Sequence, residues 1–347
     1  MQALVDKGEL AGVVTLLATR DKILHLGAAG SSDIATSRKM RSDDIFWIAS
    51  MSKPITAVAI AILVDDGKVA FDDPLSKYLP DVPQTAGPIT LRDVLTHTGG
   101  FGELTSRGPH LTLAQTAQQI AEMPLRFPPR TRWSYSTAGF DALGRVVEVV
   151  SGMGFDQFLQ KRLFDPLGMK DTSFWIRPGT KDRWARSYQW VAAEGKLRET
   201  AIPYMYGTEV DDRNRPPLGG AGLFSTAADI SRFYQMLLNR GEMGGRRILK
   251  TTTVTEMTRK QTGDLAARPG MPWGLGFCVV ENPALMEANK VLSPGSFGHG
   301  GAFSTQSWAD PGKGLIWIVM FQRTGKGNPD NSDVRMAFQD AVAERYR

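Results

Sequence analysis

Segments with strand-forming composition lie at both ends of this 347-residue chain, and mostly helical and loop patterns fill the stretch between them. Near the N-terminus, residues 12–18 and 23–27 are rich in β-prone side chains and flank a polar turn, as in a β-hairpin. Three further strand-like runs span residues 273–280, 302–309 and 314–321. This distribution predicts an α/β fold whose single antiparallel sheet is built from both chain ends.

The chain between the two sets of strands is expected to form an inserted, mainly helical domain over residues 71–215. The sheet domain then comprises residues 1–70 and 216–347. Residues 176–215 are polar, contain several prolines and glycines, and are predicted to be loop. A last helix is predicted over residues 333–346.

Three helices inside the chain have clear sequence signals. Apolar residues recur with helical spacing from about Ser50 to Asp66, and Gly67 is a natural stop. The stretch from Thr90 to Asp93 resembles a capping box. Residues 137–150 place apolar side chains on one face and are followed by a glycine, so we predict a helix there.

Composition excludes several classes of partner and cofactor. The 41 basic and 36 acidic residues are scattered, so the net charge of +5 does not indicate a nucleic-acid partner. The single cysteine, Cys278, lies in an apolar run and is predicted to be a small buried residue. The histidines have no zinc-type spacing, and we expect neither a metal nor an organic cofactor.

No uninterrupted apolar run approaches membrane-spanning length, and the first residues lack the pattern of an export signal. We therefore expect no membrane span and, for the chain as written, a cytoplasmic location. A periplasmic or secreted location remains open if a leader has been removed. The sequence leaves the oligomeric state unknown.

Ser50-Met51-Ser52-Lys53 is an S-x-x-K motif at the start of an apolar helix. A serine hydroxyl needs a base beside it to act as a nucleophile, and residues three apart share a helix face. Burial lowers the pKa of a lysine, which lets its amine accept a proton. The alternative is a helix-capping serine with a surface lysine, but the apolar context makes a freely solvated Lys53 less plausible.

Several sequence blocks in order resemble the class C β-lactamase-like serine hydrolases, which include family VIII carboxylesterases and D-Ala-D-Ala carboxypeptidases. The blocks span residues 46–56, 91–100 and 219–229, and the resemblance extends from about residue 10 to 345. It implies a β-lactamase/transpeptidase-like, penicillin-binding-protein-like fold. It also implies that Ser50 is the nucleophile and that Lys53 is its base.

The second motif of that family, Y-x-N, is identified with Tyr135-Ser136-Thr137. The resemblance implies that Tyr135 shuttles protons to Ser50 and to the leaving group; a tyrosine that merely packs after Trp133 is the alternative. Thr137 departs from the family pattern, because threonine lacks the amide group of asparagine. We expect this change to weaken β-lactam hydrolysis more than ester hydrolysis.

The third motif is identified with His299-Gly300-Gly301, just before a predicted strand, and paired glycines let a substrate lie close to a strand edge. By resemblance, the backbone N–H groups of Ser50 and Ala302 form the oxyanion hole. His299 is expected to line the site as a hydrogen-bond donor. His97-Thr98-Gly99 also matches a form of this third motif, H-T-G. It lies at the end of a predicted helix early in the chain, so His97 is assigned a structural role.

These features together predict a serine hydrolase that forms an acyl-enzyme and acts on a small ester or amide. A carboxylesterase for short-chain esters is the first choice, with Trp133 and Phe303 contributing an apolar slot. A β-lactamase or a D-amino-acid peptidase is the alternative enzyme. A catalytically silent homologue that binds acyl ligands is the alternative from another class.

Overall fold

A computed structural model describes residues 1–82, 87–104, 108–265, 267–286, 289–325 and 333–345. Its largest sheet has seven strands in the order β10-β11-β12-β13-β1-β2-β3, and every neighbouring pair is antiparallel. These strands are β1 Gly12–Ala18, β2 Ile23–Asp33, β3 Arg38–Lys39, β10 Cys278–Val279, β11 Phe297–Gly300, β12 Gln306–Asp310 and β13 Leu315–Met320. The prediction of one antiparallel sheet built from both chain ends is confirmed.

Strands β1 and β13 form the centre of the sheet, and every residue of both strands is buried. Alternate side chains point to opposite faces of a strand, so both faces must be covered. One face of β1, with Val14 and Leu16, joins the main hydrophobic core, and the other, with Val13 and Leu17, joins a second core beneath the C-terminal helix. That double burial explains why these segments read as continuous apolar runs.

The helices cover both faces of the sheet and form most of the central part of the chain. Helix α8 packs against β1, β12 and β13, and α10 packs against β13. The helices are α1 Gln2–Asp6, α2 Ser52–Asp65, α3 Leu91–Leu95, α4 Leu113–Ala121, α5 Thr137–Ser151, α6 Phe155–Leu159, α7 Asp165–Leu167, α8 Ala227–Leu238, α9 Thr251–Thr258 and α10 Asp333–Arg345. A π-helical segment, Gln160–Phe164, joins α6 to α7.

Helix α2 lies inside the molecule rather than on its surface. All of its residues from Ser52 to Leu63 are buried, and it packs closely against α5. A helix that is apolar all round is stable only when it is enclosed by other elements. Its enclosure places the S-x-x-K motif in the interior, next to the start of α5.

The remaining strands are short and form three small sheets. They are β4 Phe46–Trp47, β5 Tyr188–Val191, β6 Lys196–Glu199, β7 Phe224–Ser225, β8 Glu242–Met243, β9 Arg246–Arg247 and β14 Arg323–Thr324. Strand β14 pairs in parallel with β5, so a segment near the C-terminus holds part of the insertion. The domain limits proposed at residues 70/71 and 215/216 stay a prediction.

Three sequence predictions need correction. Residues 176–215 are not all loop, because β5 and β6 form a hairpin there that is anchored by β14. The run 273–280 is mostly irregular and contributes only the two residues of β10, since Gly276 has a φ of 83° that interrupts an extended strand. The run 302–309 becomes a strand only from Gln306, because a tight turn precedes it.

The helix ends are close to those expected. The capping box at Thr90 is present, with Asp93 as its reciprocal partner, and α5 ends at Gly152 in the left-handed conformation. The last helix is described as far as Arg345, and its predicted last residue, Tyr346, lies outside the described residues. Within the described ranges, no helix combines the length and the apolar character needed to cross a membrane.

The pairing of β1 with β2 generates a stability prediction. Leu16 is fully buried and lies opposite Leu26, which is 37% exposed. Leu16→Ala should lower the free energy of unfolding by about 2–5 kcal/mol, because a cavity opens in the main core. Leu26→Ala, the matched control across the strand pair, should cost less than about 1 kcal/mol. Urea unfolding measures both values, and equal losses would contradict the burial of Leu16 in the main core.

Candidate active site

Ser50 lies in a single turn of 3-10 helix, Ala49–Met51, between β4 and the start of α2. The predicted helix beginning at Ser50 therefore starts two residues later, at Ser52. Ala49 has a φ of 47°, a left-handed conformation that is unfavourable for a residue with a side chain. Such strain is often found beside functional residues, and here it shapes the turn that leaves Ser50 half-buried while its neighbours are buried.

Lys53 reaches back from α2 to Ser50, as the spacing predicts. Its side chain is fully buried, and its amine lies 3.2 Å from the Ser50 hydroxyl oxygen. The amine also donates to the Gly220 carbonyl at 2.8 Å and to the Thr137 hydroxyl at 3.4 Å. It lies 4.6 Å from the centre of the Tyr135 ring. The structure thus brings together three of the predicted site residues around one amine.

The glycine segment 219–222 supplies one of these contacts because its backbone lies against two helices. A Cβ atom on Gly219 would come within 2.6 Å of the Phe140 carbonyl oxygen, and one on Gly220 within 2.5 Å of the Thr137 carbonyl oxygen. Only glycine permits such a close approach. The glycines thereby let the Gly220 carbonyl reach the buried amine of Lys53.

The motif Tyr135-Ser136-Thr137 lies at the start of α5. Ser136 is the N-cap and accepts a hydrogen bond from the Gly139 N–H, which fixes where the helix begins. Thr137 is the first helical residue, and its N–H donates to the Glu103 carboxylate. This arrangement points the Thr137 hydroxyl at Lys53 and places Tyr135 directly before the helix.

His97 supports the Tyr135 segment from behind. Its Nδ1 accepts a hydrogen bond from the Ser136 N–H at 3.1 Å, and its ring centre lies 4.4 Å from that of Tyr135. Burial, aided by the charges of Lys53 and His299, holds the pKa of His97 well below its usual range, so the ring is neutral. This is the structural role that the sequence suggested.

His299 lies in β11 rather than just before a strand. Its Nδ1 is 2.6 Å from the Gly300 carbonyl oxygen, which can only accept a hydrogen bond. Nδ1 therefore carries a proton and donates it to this carbonyl, and the expectation that His299 also donates a hydrogen bond to the substrate stays a prediction. The ring is 4% exposed and packs against Trp273 and Tyr135, at 5.5 and 6.1 Å between ring centres.

The turn that follows β11 brings Ala302 close to the start of the S-x-x-K motif. Gly301 donates to the Thr305 carbonyl, and Ser304 donates to the Gly301 carbonyl. A Cβ atom on Gly301 would come within 2.6 Å of the Ile48 carbonyl oxygen, so this glycine is required by packing against the chain before Ser50. Among the described residues, the Ala302 N–H donates to no acceptor.

Aromatic side chains form two groups around these residues. The first, which we call the histidine wall, contains rings from four separate parts of the chain, including the expected Trp133: His97, Trp133, Tyr135, Trp273 and His299. The second, which we call the Trp47 wall, contains Trp47, Tyr204 and Phe303; the ring centre of Tyr204 lies 6.4 Å and that of Phe303 5.3 Å from the ring centre of Trp47. Trp47 and Phe303 are buried, and Tyr204 is half-buried.

Sequence reasoning missed two polar residues near Lys53. Asp141 is fully buried on α5 and accepts hydrogen bonds from the Gly220 N–H and from the Tyr204 hydroxyl. The signal for Asp141 was present, since a charged residue next to Phe140 interrupts an apolar helix face four residues after Thr137. Tyr204 gave no such signal, because it comes from the segment read as loop.

The part of the chain that the structure describes contains no group of three His, Cys, Asp or Glu side chains that could hold a metal ion.

Comparison with known proteins identifies the family of this chain. A model of the Beta-lactamase family matches residues 1–341. Protein Rv1367c of Mycobacterium tuberculosis is 31% identical, over 99% of this chain and 96% of that protein.

Two further comparisons involve proteins named for ester hydrolysis or hydrolase activity. Esterase EstB of Burkholderia gladioli is 29% identical, over 99% of this chain and 93% of that protein. The solved structure of EstCE1, a hydrolase with promiscuous acyltransferase activity, matches with a TM-score of 0.84 at 25% identity, over 99% of this chain and 95% of that chain. The likeness therefore extends over the whole fold.

The buried His97 makes the stability of the protein depend on pH. Its pKa is well below 6.5 in the folded state, and about 6.5 in the unfolded state, so below about pH 6.5 the unfolded chain binds more protons. Stability from this group is therefore present above about pH 6.5 and is lost as the pH falls. Between pH 7.5 and 5.5, one proton bound by the unfolded chain alone can lower the free energy of unfolding by at most about 1.4 kcal/mol.

Denaturant unfolding of the parent and of His97→Gln at both pH values measures this loss. The glutamine can still accept from the Ser136 N–H but does not titrate. The free energy of unfolding should fall less between pH 7.5 and 5.5 in His97→Gln than in the parent. The difference between the two proteins is the contribution of the His97 proton. An identical decrease in both proteins would show that His97 does not titrate differently on unfolding.

Proposed function

The chain belongs to the Beta-lactamase family, and from that premise we propose that it is a carboxylesterase that hydrolyses short-chain esters through an acyl-enzyme on Ser50. That the protein is a serine hydrolase follows from the family and from the esterases among its relatives. The observation that carries the finer proposal is the contact between the buried Lys53 amine and the Ser50 hydroxyl, 3.2 Å apart.

In the proposed acylation step, the Ser50 oxygen bonds to the carbonyl carbon of the ester while its proton passes to the Lys53 amine. The tetrahedral intermediate then collapses, and the leaving alkoxide takes a proton from the Lys53–Tyr135 pair. We assign Tyr135 to this relay because it carries the nearby titratable hydroxyl, and its ring centre lies 4.6 Å from the amine. A water molecule then attacks the acyl-enzyme, and the same groups manage its proton.

The developing oxyanion needs fixed N–H donors that are not already engaged. We propose the backbone N–H groups of Ser50 and Ala302 for this role. The Ala302 turn is held by two internal hydrogen bonds and by the close contact of Gly301 with the Ile48 carbonyl. Since its position depends on backbone packing, the donor is oriented before the substrate binds.

The preference for esters rests on what surrounds these groups. The Thr137 hydroxyl contacts Lys53 and provides no amide group for a substrate side chain. The His299 ring commits its Nδ1 hydrogen to the Gly300 carbonyl, so that hydrogen is not offered to a substrate carboxylate. The two aromatic walls, in contrast, provide apolar surface that suits a short acyl or alkyl group.

Replacing the proposed nucleophile gives the most direct test. Ser50→Ala should lower kcat for p-nitrophenyl butyrate by at least about 1,000-fold, because no covalent intermediate can form. Ser52→Ala is the matched control, since within the described residues the Ser52 hydroxyl bonds the Ala49 carbonyl and the Leu223 N–H and no group of the proposed site. It should cost about 1–3 kcal/mol in stability and leave kcat nearly unchanged.

A fluorophosphonate probe followed by peptide mass spectrometry identifies the modified residue in the same proteins. Label on Ser50 in the parent and in Ser52→Ala, and none in Ser50→Ala, is expected. Absence of label in the folded parent would instead indicate a catalytically silent homologue that binds acyl ligands. Label on Ser52 or Ser136 would show that the nucleophile has been assigned to the wrong residue.

Substrate preference is tested by comparing esters with a β-lactam. We expect kcat/KM for p-nitrophenyl acetate or butyrate to exceed that for nitrocefin by at least about 100-fold, or about 3 kcal/mol in transition-state binding. The reason is that a β-lactam brings an amide and a carboxylate that find no fixed partners at Thr137 and His299. Comparable values for both substrates would favour a β-lactamase, and cleavage of a D-Ala-D-Ala peptide would favour a peptidase.

A further inference from the structure

Asp141 is a buried carboxylate whose hydrogen bonds lead directly to the proposed catalytic base. Its side chain is fully buried on α5, one turn after Thr137. A carboxylate in such a place is stable only when donors satisfy its oxygens. The Gly220 N–H donates to Oδ1 at 2.8 Å, and the Tyr204 hydroxyl lies 3.0 and 2.8 Å from the two oxygens.

Gly220 links this carboxylate to Lys53. Its N–H is held by Asp141, and its carbonyl accepts from the Lys53 amine at 2.8 Å, which is shorter than the bond from that amine to Ser50. A lysine amine on a flexible stem is directed by the acceptors that surround it. Asp141 therefore fixes, through one residue, the acceptor that orients the amine toward Ser50.

Tyr204 links the same carboxylate to the Trp47 wall. It lies in a 3-10 turn, Pro203–Met205, within the inserted region, and its ring is 6.4 Å from that of Trp47. The indole N–H of Trp47 donates to the Ala221 carbonyl, next to Gly220 in the chain. Phe303, which follows Ala302, contacts the other side of Trp47. The Asp141 carboxylate thus contacts both Gly220, which binds the Lys53 amine, and Tyr204 of the Trp47 wall.

We propose that Asp141 is a positioning residue that places Lys53 for proton transfer through Gly220 and, through Tyr204, places the Trp47 wall that receives the acyl group. The proposal rests on the proposed function, because it assumes that Lys53 serves Ser50. It goes further by stating that the base and the acyl-binding wall are assembled together. Loss of the carboxylate should disturb the base, and loss of the Tyr204 hydroxyl should mainly disturb the wall.

The first experiment compares Asp141→Ala with Asp141→Asn in the full chain. Asparagine has the same shape, and its carbonyl oxygen can accept from the Gly220 N–H while its amide faces the Tyr204 hydroxyl. The rate constant for labelling of Ser50 by a fluorophosphonate reports activation of the nucleophile. Asp141→Ala should lower that rate constant by about 100-fold, as expected for a misplaced catalytic group, and Asp141→Asn should restore it to within about 10-fold of the parent.

Two results of this comparison would overturn the positioning role. Equal losses in folded Asp141→Ala and Asp141→Asn would show that the charge matters rather than the hydrogen bonds. Labelling of Asp141→Ala within about 10-fold of the parent would show that Lys53 is oriented without Asp141. Circular dichroism and thermal melting verify that each variant is folded.

The second experiment compares Tyr204→Phe with Tyr206→Phe, a matched control on the same turn whose ring lies 5.8 Å from that of Tyr204. Only the first change removes the hydrogen bond to Asp141. In Tyr204→Phe, the ratio of KM for p-nitrophenyl butyrate to KM for the acetate should rise about fivefold, since the longer acyl group depends more on the wall. The same ratio in both variants would overturn the role of Tyr204.

Failure of this inference can be distinguished from failure of the proposed function. A parent that is labelled on Ser50 but does not hydrolyse esters would defeat the esterase proposal, while the labelling rates of the Asp141 variants would still decide the positioning role. If Asp141→Ala does not fold, the ratio of KM for p-nitrophenyl butyrate to KM for the acetate in Tyr204→Phe decides. A ratio at least about threefold above that of Tyr206→Phe supports the inference, and equal ratios overturn it.

Discussion

The burial of the Lys53 amine is the interaction on which the rest of the site depends. An amine that is fully removed from solvent needs acceptors close by, and it finds them at Ser50, Thr137 and Gly220. These acceptors come from different parts of the chain, so α2, the start of α5 and the glycine segment 219–222 must pack together before the site exists. The glycines and the apolar surface of α2 are the sequence features that make this packing possible.

The antiparallel sheet provides the other half of the site. Its strand β11 and the turn that follows it bring Ala302 to the turn that contains Ser50, and the approach of Gly301 to the Ile48 carbonyl sets their spacing. Because β13 and β1 pair in the centre of the sheet, the two chain ends are joined in one rigid element. The proposed oxyanion donors therefore have positions determined by the sheet, whereas the proposed base has a position determined by helices.

The region inserted between the chain ends does more than enlarge the protein. It supplies Tyr135 and Thr137 at the start of α5, and it supplies Tyr204, which approaches from a segment with little regular structure. The inserted region therefore contributes rings to both aromatic walls. Asp141 links one of these walls to the proposed base, since its oxygens accept hydrogen bonds from Tyr204 and from the Gly220 N–H.

Short local patterns were sufficient to predict the Ser50–Lys53 pair, the capping box at Thr90, the start of α5 and the assembly of one sheet from both chain ends. The first three depend on neighbours in the sequence, and the sheet depends on β-prone apolar runs near both chain ends, which a sequence displays directly. Other features depend on contacts between residues far apart, which no local pattern encodes. The strand β5 pairs with β14 from near the C-terminus, the His299 ring packs against Tyr135, and Tyr204 meets a carboxylate 63 positions away. The sequence by itself determined the chemistry that was available, and only the tertiary structure decided which groups meet around Lys53, because hydrogen bonds to a buried amine require partners that folding alone brings within reach.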